Sequence, residues 1–250
     1  MIVICADDVG ARSLALPASS EVIRYGLASP DARLVARDIR PNGQATTFSV
    51  SYDGDALGDV ALRVPGHHNV QNALAAIGAG FALGATLDQM REGLNRFGGV
   101  ERRFQHLCDV AGLTIVDDYA HHPTEIAATI QAARASYPGR RIVAAFQPHL
   151  FTRTRDFSEA FGEALAVADA VFLAEIYPAR EQPIAGVTSD LIASAMARAG
   201  RPPVWQGARP ELSSALTDFV KKGDVVITIG AGDITLTGPE LKQRLESRSG

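Results

Sequence analysis

The spacing of apolar residues divides the chain into two stretches of different character. Over the first 64 residues, short runs of period two alternate with turn formers. Met1–Cys5, Glu21–Tyr25, Arg33–Ile39, Ala45–Tyr52 and Asp59–Val64 read as strands. Ser29-Pro30-Asp31, Pro41-Asn42-Gly43 and Asp53-Gly54 read as the turns between them. From Val22 to Val64 the expected arrangement is an antiparallel meander. A buried strand at the first residue is an odd natural start and suggests a chain cut from something longer.

The period lengthens at Pro65-Gly66. His68–Leu83 reads as an Ala-rich helix and Leu87–Phe97 as a second one. Phe97-Gly98-Gly99-Val100 is expected to be a hinge, because paired glycines leave the backbone free, and it separates a domain of 1–97 from one of 98–250. Beyond it strands and helices alternate. The strands are Leu113–Val116, Arg141–Phe146, Ala170–Ala174, Val204-Trp205 and Val225–Ile229. The helices are Pro123–Ser136, Asp156–Ala168, Ser189–Ala199, Arg209–Lys221 and Gly238–Arg248. The class is α/β, with a mostly parallel sheet wrapped on both faces. Such sheets bind ligands past the carboxyl ends of their strands. That rule selects Asp117–Pro123, Gln147–Thr154, Glu175–Gly186 and Gly230–Ile234.

Composition narrows the function classes. An apolar share of 46% with 21% charged residues fits an ordinary soluble globular protein. A net charge of -4 gives no strong pull toward nucleic acid or anionic membrane. The longest weakly polar run, Ala73 to Ala85, falls short of the roughly 20 residues a bilayer requires. With no signal peptide at the start, a cytoplasmic location is expected. Cys5 and Cys108 read as separate reduced thiols. The lysines are Lys221, Lys222 and Lys242; none follows a Gly-x-x-x-x-Gly pattern, so the 250 residues contain no Walker A loop.

Four segments carry candidate chemistry. Val116–Glu125 places Asp117, Asp118, His121 and His122 between a strand and a helix that begins with Pro123; simple capping accounts for one Asp and one His equally well. Phe146–Arg155 brings His149, Arg153 and Arg155 to the same edge, where guanidinium suits a carboxylate or phosphate. Pairing of Arg155 with Asp156 is the alternative there. Asn69 and Asn72 share one face of a first helical turn, placed for a base edge or for a plain helix cap. Gly230-Ala-Gly-Asp233 is a tight turn without the third glycine of a dinucleotide fingerprint. The adjacent pairs His67/His68 and His121/His122 cannot easily share one ion, which argues against a metallohydrolase.

In order along the chain, PGHHNVQNALAA, GVERRFQ, VDDYAHHPTEI, FQPHLFTRTRDF, AEIYPAREQPIAGVTS and ITIGAGD resemble the Mur ligase family. Within it they are most similar to the branch that joins L-alanine to UDP-N-acetylmuramate. The resemblance implies the strand meander and helices ending a central ATPase domain, then a Rossmann-like doubly wound C-terminal domain. It implies that ATP phosphorylates the muramoyl carboxylate and that the amine of L-alanine attacks the acyl phosphate. It assigns Asn69 and Asn72 to adenine and Arg103 and Asp118 to the nucleotide. It assigns His149 and Arg153 to the amino acid, with Tyr119 and His122 lining the same cleft and Leu150 without a polar role. Contacts to the phosphates and to Mg2+ are expected mainly from family segments that have no counterpart here. By this resemblance the chain alone is inactive, and closure of the two domains over the hinge is expected. Two competitors remain: the branch that attaches a whole tripeptide, which resembles Glu-Pro-Arg-Ser-Asn where this chain has Gln147-Pro-His-Leu-Phe, and a non-catalytic binding module.

Overall fold

The computed structural model describes residues 1–42 and 45–249. Gly43 of one predicted turn and Gly250, the end of the second predicted domain, lie outside the described residues. The chain forms two compact units, 1–99 and 100–250.

The first unit has five strands: β1 (Ile2–Cys5), β2 (Val22–Gly26), β3 (Leu34–Asn42), β4 (Ala45–Tyr52) and β5 (Asp55–Leu62). It also has three helices: α1 (Val9–Arg12), α2 (His67–Ala82) and α3 (Leu87–Arg96). The sheet runs β1-β2-β3-β4-β5, and only its second half is the expected meander. β3, β4 and β5 pair antiparallel, with Asp53 and Gly54 at positive φ (51° and 93°) in the two-residue turn that such hairpins favour. β2 and β3 are parallel, contrary to the predicted meander, and β1 adds to β2 in parallel as well. The physical reason is stagger. Only Tyr25↔Leu34 and Gly26↔Val35 pair, so β3 begins beside the end of β2 and a short connection suffices. Helix α2 sends Val70, Ala73, Leu74 and Ile77 into the core against Phe48, Val50 and Leu34, the i, i+3, i+4, i+7 stripe of an amphipathic helix.

The second unit contains β6 (Gln105–Val110), β7 (Leu113–Asp118), β8 (Ile142–Phe146), β9 (Ala170–Ala174), β10 (Trp205–Gly207) and β11 (Val225–Ile229). Its helices are α4 (Pro123–Ser136), α5 (Phe151–Leu165), α6 (Asp190–Arg198), α7 (Arg209–Phe219) and α8 (Thr237–Ser249). The sheet order is β10-β9-β8-β11-β7-β6, parallel except for β6. Alternation divides the core. Ile142, Ala144 and Phe146 of β8 face α4, α5 and α6 through Ile126, Phe161 and Ile192. Val143 and Ala145 face α7 and α8 through Leu212, Leu216 and Leu241. Each of the larger ones, Val, Ile, Leu or Phe, contributes about 1.5–3 kcal/mol by leaving water.

Two elements depart from the pattern read in the sequence. β6 was not foreseen: its residues are half-buried except for the exposed Asp109, and only the Ala111-Gly112 turn, with φ of 50° and 78°, marks the hairpin to β7. Helix α5 starts at Phe151 and not at Asp156, so Thr152, Arg153 and Arg155 are helical. Its cap comes from a distant residue. Glu181 accepts the Thr152 N–H at 2.9 Å and the Thr152 hydroxyl, while Leu150 at the cap position offers no side-chain acceptor.

Candidate functional site

All four selected loops meet at the carboxyl edge of the second sheet. β11 lies between β7 and β8, so the chain leaves β7, skips a strand and returns; the loops after these strands therefore converge. Gly230 N–H donates to the Asp118 carbonyl (3.0 Å) and Gln147 N–H to that of Ile229 (3.0 Å). Gln147, 3% exposed, donates to Asp233 Oδ1 at 2.8 Å and accepts the Ile234 N–H at 3.1 Å. Gly230 has φ 146°, and a Cβ there would lie 2.8 Å from the Gln147 carbonyl, so the turn requires glycine.

Asp117 and Asp118 are both buried and both occupied. Asp117 accepts from the Thr228 hydroxyl (2.6 Å), the Thr235 hydroxyl (3.1 Å) and Arg102 Nε (2.9 Å). Arg102 also donates to the Gly230 carbonyl at 2.7 Å. Asp118 accepts the Phe104 N–H at 2.8 Å and the Ala120 N–H at 2.7 Å, one on each oxygen. Burial pushes its carboxyl above the usual carboxylate range, and the Ala120, Phe104 and Thr129 donors only partly offset this. These bonds, with Tyr119 N–H donating to the Arg102 carbonyl at 2.6 Å, fasten residues 102–104 to the β7 end. Arg102 and Phe104 adopt φ of 59° and 48° there, a strained backbone held by its surroundings.

Aromatic rings cross the edge as a row. Tyr119 packs edge-on to His121 (5.3 Å), His121 to His149 (6.2 Å), and His149 stacks on Tyr177 at 5.8 Å and 17°. At one end the guanidinium carbons of Arg102 and Arg103 lie 5.0 and 5.8 Å from the Tyr119 ring centre. Arg103 is half exposed and 3.6 Å from Glu125, leaving its cation open to solvent. At the other end Arg153 Nη1 lies 3.4 Å from His149 Nδ1. Guanidinium can only donate, so Nδ1 is the acceptor and a neutral imidazole carries its proton on Nε2. Burial, then the neighbouring Arg153 and His121, hold His149 below the ordinary imidazole range, against the pull of Glu181. Arg153 pairs with no carboxylate among the described residues.

Some expected residues take quieter places. His122 caps α4, its Nδ1 accepting the Thr124 N–H at 3.4 Å, while its ring packs on Phe157 at 5.0 Å. Asn69 and Asn72 lie in the first unit on α2; Asn69 donates to the Pro65 carbonyl at 2.7 Å and Asn72 to Asn69 Oδ1 at 3.4 Å. Three contributors were not singled out from sequence: Arg102, Gln147 and Tyr177. All three stand inside the motifs of the family resemblance, but only the fold reveals which carboxylate, turn or ring each one holds. Among the described residues no group of three or more His, Cys, Asp and Glu could hold a metal ion, and no helix is long and apolar enough to cross a membrane.

Comparison with known proteins identifies the family. The model of the Mur ligase glutamate ligase domain matches residues 102–232, and that of the Mur ligase middle domain matches 1–80. A UDP-N-acetylmuramate–L-alanine ligase of Cutibacterium acnes is 44% identical over 99% of this chain and 53% of its own length. That of Burkholderia multivorans is 46% identical over 93% of this chain and 51% of its own. The crystal structure of UDP-N-acetylmuramate-alanine ligase from Thermotoga maritima superposes with a TM-score of 0.76 at 28% identity, covering 90% of this chain and 48% of that one. The chain thus spans about half the length of the curated relatives it matches. With its matched segments spread over both units, the chain belongs to the Mur ligase family.

Proposed function

We propose that these residues serve an ATP-dependent ligase that joins L-alanine to UDP-N-acetylmuramate, and that they supply its amino-acid end and part of its nucleotide end. The observation that carries the reading is Arg153, a cation without a carboxylate partner among the described residues, beside an imidazole that burial holds below its ordinary range. A guanidinium in that position suits an amino-acid carboxylate, and a neutral His149 leaves the adjacent amine free of a competing positive charge. The relatives' shared name, at up to 46% identity among those compared, points the same way.

On this reading Arg103 and Tyr119 present a cation and a π-face to the nucleotide. Asp118 acts by fixing the 102–104 segment that carries Arg103, since backbone donors occupy both its oxygens. Asn69 and Asn72 offer amide groups for adenine on the first unit, and His122 orients α4. The buried carboxylates do not suit magnesium: Asp117 and Asp118 spend their oxygens on protein donors. The 250 residues contain no Gly-x-x-x-x-Gly-Lys loop to grip the transferred phosphate. We therefore expect no alanine-dependent phosphate release from this chain with ATP, Mg2+ and UDP-N-acetylmuramate. Phosphate release that rises with L-alanine would overturn that part of the proposal.

A further inference from the structure

Tyr177 belongs to the segment between β9 and α6, the same segment whose Glu181 caps α5. Its backbone brackets His149: Tyr177 N–H donates to the Pro148 carbonyl at 2.8 Å, and its carbonyl accepts the Leu150 N–H at 3.0 Å. Its ring covers one face of the imidazole, nearly parallel. A seat is made for that ring. A Cβ on Gly232 would come within 2.6 Å of Tyr177 Cγ and 2.9 Å of its Cβ, so glycine at 232 is what admits the tyrosine. Four residues on, Glu181 caps α5 through the N–H groups of Phe151 and Thr152 and the Thr152 hydroxyl. One segment thus fixes both the imidazole and the start of the helix that carries Arg153. Leu150 between them is held at φ 74°, which an L-residue adopts only under constraint.

We propose that Tyr177 is a positioning residue for the amino-acid end of the site, acting through His149: its ring clamps the imidazole so that Nδ1 stays turned to Arg153. The assignment of that end to an amino acid rests on the function proposed above; the clamp itself rests on the geometry alone. The charged and titratable groups facing His149 are Arg153 on α5, His121 on the β7–α4 loop and Glu181 on the segment of Tyr177. Removing the ring opens the imidazole to water and lets it turn. Removing only the phenol oxygen does neither.

The test is a histidine 15N and 13C NMR titration of the 250-residue chain, with the His149 signal assigned through His149→Gln. Wild type and Tyr177→Phe are expected to share one depressed titration midpoint and one tautomer, with the proton on Nε2. Tyr177→Ala is expected to move the midpoint up toward that of a free imidazole and to mix the tautomers. Should Tyr177→Ala unfold, Tyr177→Leu keeps apolar bulk without a stacking face and is expected to behave the same way. A wild-type midpoint and tautomer in the folded Ala or Leu variant would overturn the clamp. Adding L-alanine, with ATP and UDP-N-acetylmuramate present, separates the two claims. A silent His149 signal in wild type counts against the amino-acid reading, while the Tyr177 effect on the titration still decides the clamp.

Discussion

Asp118 is held by an N–H donor on each oxygen, from Phe104 and from Ala120. An amide in its place can accept on one side only and turns an NH2 toward the other donor. Asp118→Asn is therefore expected to destabilise the fold by about 1–3 kcal/mol, read as a lower urea midpoint with an unchanged slope. An unchanged midpoint would mean that the carboxylate is free for ligand. At this scale the sequence was a mixed guide. The cluster of Asp, His and Arg at the sheet edge was legible because strand-to-helix loops with Pro at a helix start place themselves. Which member of each pair does what was not. Asp117 and Asp118 are neighbours in sequence yet serve Arg102 and the 102–104 backbone respectively, and His122 caps a helix while His121 joins the aromatic row. Such choices are set by partners from other loops, about which spacing along one segment is silent.

The start of α5 makes the same point for an element. The local pattern places it at Asp156, whereas Leu150 at the true cap position has no side-chain acceptor. The true cap, Glu181, lies 29 residues from Thr152 and arrives only with the fold. Parallel pairing of β2 and β3 likewise escaped a reading based on turn residues, since stagger is a property of two strands together. Helix packing offers a sharper test. A Cβ on Gly162 of α5 would stand 2.7 Å from Ala195 Cβ and 3.1 Å from the Met196 nitrogen, so α5 and α6 meet at the glycine. Gly162→Ala gains helix propensity but must push the helices apart. A net loss of about 1–3 kcal/mol is expected by thermal or urea unfolding. A gain in stability would show that α6 yields easily.

Taken whole, the chain has two units with separate cores. Phe48, Leu74 and Ile77 belong to the first, and Phe146, Phe161 and Ile227 to the second. Residues 100–250 bury apolar side chains on both faces of their sheet and are expected to fold alone, with one cooperative unfolding transition. A molten product from that segment would count against this. The order of the four motifs of the second unit that follow β7, β8, β9 and β11 was legible at this scale because each sits at a strand's carboxyl end in a repeating strand–helix plan. The central claim is that Arg153 receives the amino-acid carboxylate, and kinetics test it most directly. In a full-length Mur ligase carrying these 250 residues, Arg153→Ala is expected to raise the L-alanine KM roughly ten- to a hundredfold, the loss of one charge-assisted contact, with the ATP KM nearly unchanged. An unchanged alanine KM would contradict the account.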